Sequence, residues 1–120
     1  MSELNIEEFH VRVYEVVRMI PHAHVTSYGH IAKLIGMPRH SRHVGQALKW
    51  LPEGSDIPWQ RVISSSGQIS SRGPATEGAQ LQREALEAEG VEVTMPVGGG
   101  TGRVNFREYG WFPDHVDFDD

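Results

Sequence analysis

Ile6, Phe9, Val13, Val16 and Ile20 recur at intervals of three and four, the spacing that gathers apolar side chains on one face of an α-helix. Pro21 follows where such a helix must stop. Thr26 and Ser27 then offer caps for a shorter helix in which Tyr28, Ile31, Ala32 and Ile35 keep helical spacing, with Gly36 as its terminator. After the turn Gly36-Met37-Pro38, a third helix from about His40 to Leu51 places Val44, Ala47, Leu48 and Leu51 on one side and leaves Arg42, Gln46 and Lys49 for the other. Two short helices joined by a tight glycine-containing turn make a helix-turn-helix candidate, although the same arrangement occurs in many proteins that bind nothing.

The second half reads less sharply. Val62-Ile63 and Gln68-Ile69 flank Ser64-Ser65-Ser66-Gly67, which predicts a hairpin or a tight loop. Glu77 to Glu89 reads as a helix ended by Gly90. Val91, Val93 and Met95 alternate, as do Val104 and Phe106, with the glycines from Gly98 to Gly102 between them, so a terminal β-hairpin is expected. That glycine run lacks the Lys-Ser/Thr of a phosphate-binding loop and is read as a turn. Asp114 to Asp120 is acidic and expected to fray.

Composition narrows the function classes. At 120 residues the chain suits one domain, residues 1–120, with no internal repeat or linker. There is no cysteine, which excludes a disulfide scaffold, a cysteine-ligated metal and any thiolate chemistry. The N-terminus lacks a basic start followed by an apolar core, and no apolar stretch is long enough to span a bilayer, so an intracellular, soluble protein without membrane contact is expected. Net charge is −5, yet from His22 to Arg72 six basic residues face two acids, a net of +4 against −9 elsewhere. An acidic chain with a basic middle segment can still bind a polyanion, because screening limits distant carboxylates to a reach of about 8–10 Å. His22, His24, His30, His40 and His43 raise a metal site, but no carboxylate stands among them at ligand spacing, so neither metal nor cofactor is expected.

Val25-Thr26-Ser27-Tyr28-Gly29-His30-Ile31-Ala32, then Ser41-Arg42-His43-Val44-Gly45-Gln46-Ala47-Leu48, then Pro58-Trp59-Gln60-Arg61-Val62-Ile63 and Ser66-Gly67 follow one another at family spacing. Over roughly residues 6–112 the chain resembles the DNA-binding domain of O6-alkylguanine-DNA alkyltransferases. The resemblance implies an α+β, mainly helical, winged-helix-like domain with a helix-turn-helix and short β-hairpins. Enzymes of that family carry Pro-Cys-His-Arg-Val, in which cysteine takes the alkyl group and histidine helps activate it through water. Trp59 and Gln60 stand at those two positions. Neither an indole nor a carboxamide can act as that nucleophile or base, and no other thiol exists to substitute. The pattern is similar to the alkyltransferase-like proteins, which bind alkylated guanine without repairing it and pass the lesion to nucleotide-excision repair.

The resemblance also implies roles for single residues. Tyr28 corresponds to a tyrosine that crowds the phosphate beside the target nucleotide, and Arg42 to an arginine that fills the base stack after the nucleotide rotates out. A planar guanidinium suits that place because it stacks and donates at once. Tyr28, with Trp59, Val62 and Arg72, also corresponds to the lesion pocket. An aromatic wall returns about 1–3 kcal/mol per base of the unstacking energy. Arg72 over a base face would add a cation–π contact of ~0.5–2 kcal/mol. Gly45 and Ala47 are small where the family brings its recognition helix close to DNA, and Thr26, Ser27, Arg39 and Gln46 are candidate backbone contacts. Glu89 corresponds to the acid of the catalytic relay and, with nothing to activate, is read as structural. The expected partners are double-stranded DNA containing O6-alkylguanine and nucleotide-excision repair proteins, met by a monomer in the cytoplasm of a bacterium or the nucleus of a eukaryote. The alternative reading is a helix-turn-helix regulator that reads sequence in undamaged DNA. An enzyme using a hydroxyl of Ser64-Ser65-Ser66 lacks a neighbouring base in sequence.

Overall fold

In the computed structural model, which describes residues 5–52, 54–69, 75–97 and 101–118, the first apolar stripe forms α1 (Ile6–Met19). Asn5 caps it by accepting the Glu8 N–H at 2.8 Å, and its own amide donates back to the Glu8 carboxylate. Phe9, Val13, Val16 and Val17 face inward, whereas Ile6 stays exposed in the first turn. Ser27 caps α2 (Tyr28–Ile35), and Gly36 ends it in the left-handed conformation at φ 89°. The third helix, α3, is Ser41–Lys49, slightly shorter than its apolar pattern. These three helices enclose one core made by Phe9, Val13, Val16, Ile20, Ile31 and Val44, closed beneath by Ile57 and Val62.

A two-stranded parallel sheet joins this unit to the rest. β1 (Thr26–Ser27) pairs with β2 (Val62–Ile63), Thr26 opposite Val62 and Ser27 opposite Ile63. Successive strand residues point to opposite faces. Val62 therefore enters the first core while Ile63 joins Val25, Ile69, Leu86, Val91, Val93 and Val104 in a second. Of the hairpin or tight loop expected after Ile63, the tight loop forms: Ser64 and Gln68 close it through a 3.1 Å backbone bond, with Gly67 at φ 86°. The helix α4 (Ala75–Ala88) is followed by Gly90 at φ 96°.

Three expectations for the C-terminal part change. The terminal hairpin reduces to one antiparallel bridge, in which Thr94 and Arg103 exchange both backbone hydrogen bonds at 2.9 Å, and Met95 faces solvent. Phe106 starts a short helix, α5 (Phe106–Tyr109), because Asn105 caps it through the Arg107 N–H. The acidic tail does not fray as far as Phe118. Trp111, Val116 and Phe118 pack on the first core, Arg12 lies 4.4 Å over the Phe118 ring, and His30 Nε2 meets the Pro113 carbonyl at 2.7 Å. The apolar pair Val116 and Phe118 supplies contacts that its acidic neighbours conceal in the sequence.

Candidate nucleic-acid interface

α2 and α3 are held at a fixed angle by the turn between them, where Met37 N–H bonds to Ala32 O at 2.9 Å and His40 N–H to Met37 O at 2.9 Å. Tyr14 fixes α3 from behind by donating its hydroxyl to Ala47 O at 2.8 Å, and burial pushes that phenol's pKa up. Val44, Gly45 and Ala47 face the core, while Arg42, His43, Gln46 and Lys49 are exposed. With Arg39 exposed in the preceding turn and no acid anywhere in α3, the outward face is a basic strip about 12 Å long, at 1.5 Å per helical residue.

This assignment of faces corrects two expected contacts. Ala47 is fully buried and Gly45 is buried, so the two small residues expected to let the helix backbone approach a groove lie on the face turned to the core. The helical period had already put Ala47 inside, and a core position on the same helix excludes an outward one. Thr26 is also fully buried, its Oγ1 without a hydrogen-bond partner among the described residues, so its hydroxyl does not face a phosphate. Ser27 Oγ is engaged as the cap of α2, accepting the His30 N–H at 3.1 Å. Tyr28, 8 % exposed, belongs to the first core, packed at the N-terminus of α2.

Trp59 opens a 3-10 turn, Trp59–Arg61, that leads directly into β2. Because the strands run parallel with Thr26 opposite Val62, this turn lies beside the segment that leads into β1, where Ala23 shares the Glu89 carboxylate with it, while Tyr28 follows the far end of β1. Trp59 is half-buried. Val62, expected to line a pocket, is fully buried in the first core, so its side chain offers no surface to a base. Arg72 lies outside the described residues.

What holds the turn is a clamp centred on Glu89. Its carboxylate accepts the Ala23 N–H at 2.8 Å, Gln60 Nε2 at 2.7 Å and Arg61 Nε at 3.0 and 3.1 Å. Arg61 also donates to Ile20 O at 2.8 Å. Burial alone would push the Glu89 carboxyl up, but the hydrogen bonds from Ala23, Gln60 and Arg61, with the Arg61 charge, outweigh it and hold the pKa below its ordinary value. Gln82 completes the clamp from α4, its amide donating to the carbonyls of Gln60 at 3.1 Å and Val62 at 2.8 Å. Ala23, at φ 64°, is a non-glycine residue in the left-handed region, held there in part by Glu89. Gln82 escaped the sequence reading, yet it had a signal: it sits between Ala79 and Leu86 at spacings of three and four, a polar residue on the apolar stripe of α4. Among the described residues no group of three His, Asp or Glu side chains is placed to hold a metal.

A helix-turn-helix with a basic outward face, joined by a parallel strand pair to a clamped Pro-Trp-Gln-Arg turn, defines a DNA-binding domain of the alkyltransferase type. Residues 8–91 match the model of the 6-O-methylguanine DNA methyltransferase DNA-binding domain, and the chain belongs to that family. It is 44 % identical to the DNA base-flipping protein of Vibrio parahaemolyticus over 90 % of this chain and 100 % of that protein. It is 43 % identical to alkyltransferase-like protein 1 of Schizosaccharomyces pombe over 92 % of this chain and 100 % of that one. The crystal structure of S. pombe Atl1 in complex with damaged DNA containing O6-carboxymethylguanine superimposes with a TM-score of 0.85 at 43 % identity, covering 92 % of this chain and 100 % of that chain.

Proposed function

We propose that this protein binds O6-alkylguanine in duplex DNA by rotating the damaged nucleotide out of the helix, leaves the alkyl group in place, and marks the site for nucleotide-excision repair. Trp59 and Gln60 carry the proposal. They stand where the alkyltransferases carry their nucleophilic cysteine and its histidine helper, and Gln60 is hydrogen-bonded to Glu89 at 2.7 Å, so the relay acid is occupied by an amide that cannot take a proton near neutral pH. With no cysteine in the chain, no thiol can accept the alkyl group. The fold likeness to a protein crystallised on DNA containing O6-carboxymethylguanine supports the choice of ligand.

Flipping follows from the chemistry of the lesion, since the alkylated edge of guanine faces the duplex interior and cannot be inspected while stacked. Arg42 enters the vacated stack, and the half-buried Trp59 supplies aromatic surface to the extruded base. Arg72 contacts the same base. The protein acts as a monomer on the duplex. A 2-aminopurine at the target position tests the flip: its emission rises on binding as it leaves the stack, and rises further with Trp59→Ala because the indole no longer quenches it. Unchanged emission with both proteins removes the flip and favours a regulator that reads stacked bases.

A further inference from the structure

We infer that Trp50 is a second contact with duplex DNA, its indole lying against the sugar–phosphate wall of the groove that α3 enters, several base pairs from the extruded nucleotide. The inference rests on the proposed lesion-binding function and adds a residue that function does not use. Trp50 continues α3 without a break, its N–H bonding to Gln46 O at 3.2 Å, so its side chain emerges one turn beyond Gln46 beside Lys49. It is 74 % exposed, whereas Trp59 and Trp111 are half-buried. A large aromatic left in water beside a cation, at the end of a helix with no acid, matches a partner that offers both negative charge and apolar surface. Phosphate and deoxyribose together are such a surface. The one described acid in the following loop, Asp56, is turned to Arg18 at 3.3 Å and does not oppose it.

Continuity with the basic strip selects DNA over a protein partner, because Arg42, Gln46, Lys49 and Trp50 succeed one another along one outward face. Eight residues separate Arg42 from Trp50, about 12 Å of helix axis. With one base pair per roughly 3.4 Å of duplex axis, α3 laid along a groove gives a displacement of at most about three to four base pairs. A contact so far from the flipped base is blind to the alkyl group. Trp50 therefore contributes affinity and footprint, and no lesion preference.

Anisotropy titrations at one stated salt concentration test this with wild type and Trp50→Ala on a long duplex bearing a central O6-methylguanine or plain guanine. The duplex is then trimmed to about two base pairs beyond the target on one side, and separately on the other. Trp50→Ala is expected to weaken binding about five- to tenfold on the full duplex, the scale of one partly buried aromatic side chain, equally for damaged and plain DNA. Trimming one particular side weakens wild type by the same factor and leaves the variant unchanged. Equal affinity of the two proteins for the full duplex overturns the inference and frees Trp50 for a protein partner; so does a difference that survives both trims. Failure of the lesion-binding function shows separately, as equal wild-type affinity for damaged and plain duplexes.

Discussion

A buried hydroxyl without a hydrogen-bond partner costs roughly 1–3 kcal/mol, and Thr26 Oγ1 is such a group among the described residues. Thr26→Val keeps the shape and removes the hydroxyl, so it should raise stability by about 1 kcal/mol. It should leave DNA affinity unchanged, because this side chain faces the core. A duplex titration beside a thermal melt checks both, and a loss of affinity would return Thr26 to the phosphate. Arg42 and Arg72 divide differently. Arg42→Ala should weaken binding to damaged and plain duplexes alike, since a guanidinium in the base stack stabilises any flipped state. Arg72→Ala should mainly erode the difference between them, since a cation over the ring responds to the ring. Equal loss of lesion preference in both variants would refute that division.

The Glu89 clamp makes the Trp59–Arg61 turn depend on a glutamate 28 residues further along, for Arg61, and 29, for Gln60. Its side chain is 8 % exposed and that of Arg61 16 %, so Glu89→Ala strands a largely buried guanidinium and should cost roughly 3 kcal/mol. The pH dependence has a definite sign. Glu89 titrates below its ordinary 4.5 in the folded protein, so the unfolded chain binds the proton first as pH falls. Its stabilisation is complete above 4.5 and disappears as pH drops through the lower folded value. Melts of wild type and Glu89→Gln should therefore differ most at neutral pH and converge in acid; a constant gap would deny the clamp its charge. Of this clamp only Gln82, on the apolar stripe of α4, left a mark in the periodicity. The α1, α2 and α3 pattern was legible, because stripes at 3.6 residues and caps such as Ser27 and Gly36 are local signals. The two-residue strands are too short to show alternation, and their partners lie 36 positions apart. Phe106 looked like a strand residue because it alternates with Val104, but the Asn105 cap starts a helix there.

Across the whole molecule, a net charge of −5 coexists with a basic strip on one helix, an arrangement that lets an acidic protein hold a polyanion at short range. The candidate site was legible to the extent that motifs name positions. Arg42 and Gln46 are exposed and Trp59 is half-buried beside the strand pair, as surface contacts require. Motifs do not say which way a side chain faces, and those of Ala47, Thr26 and Val62 are fully buried. The central claim is that the lesion is held and the alkyl group kept. It is tested most directly with a duplex whose O6-methylguanine carries a labelled methyl group, incubated with excess protein and resolved first natively, then after denaturation. The label should migrate with a protein–DNA complex in the native separation and with the DNA strand alone after denaturation; label left on denatured protein would contradict the account.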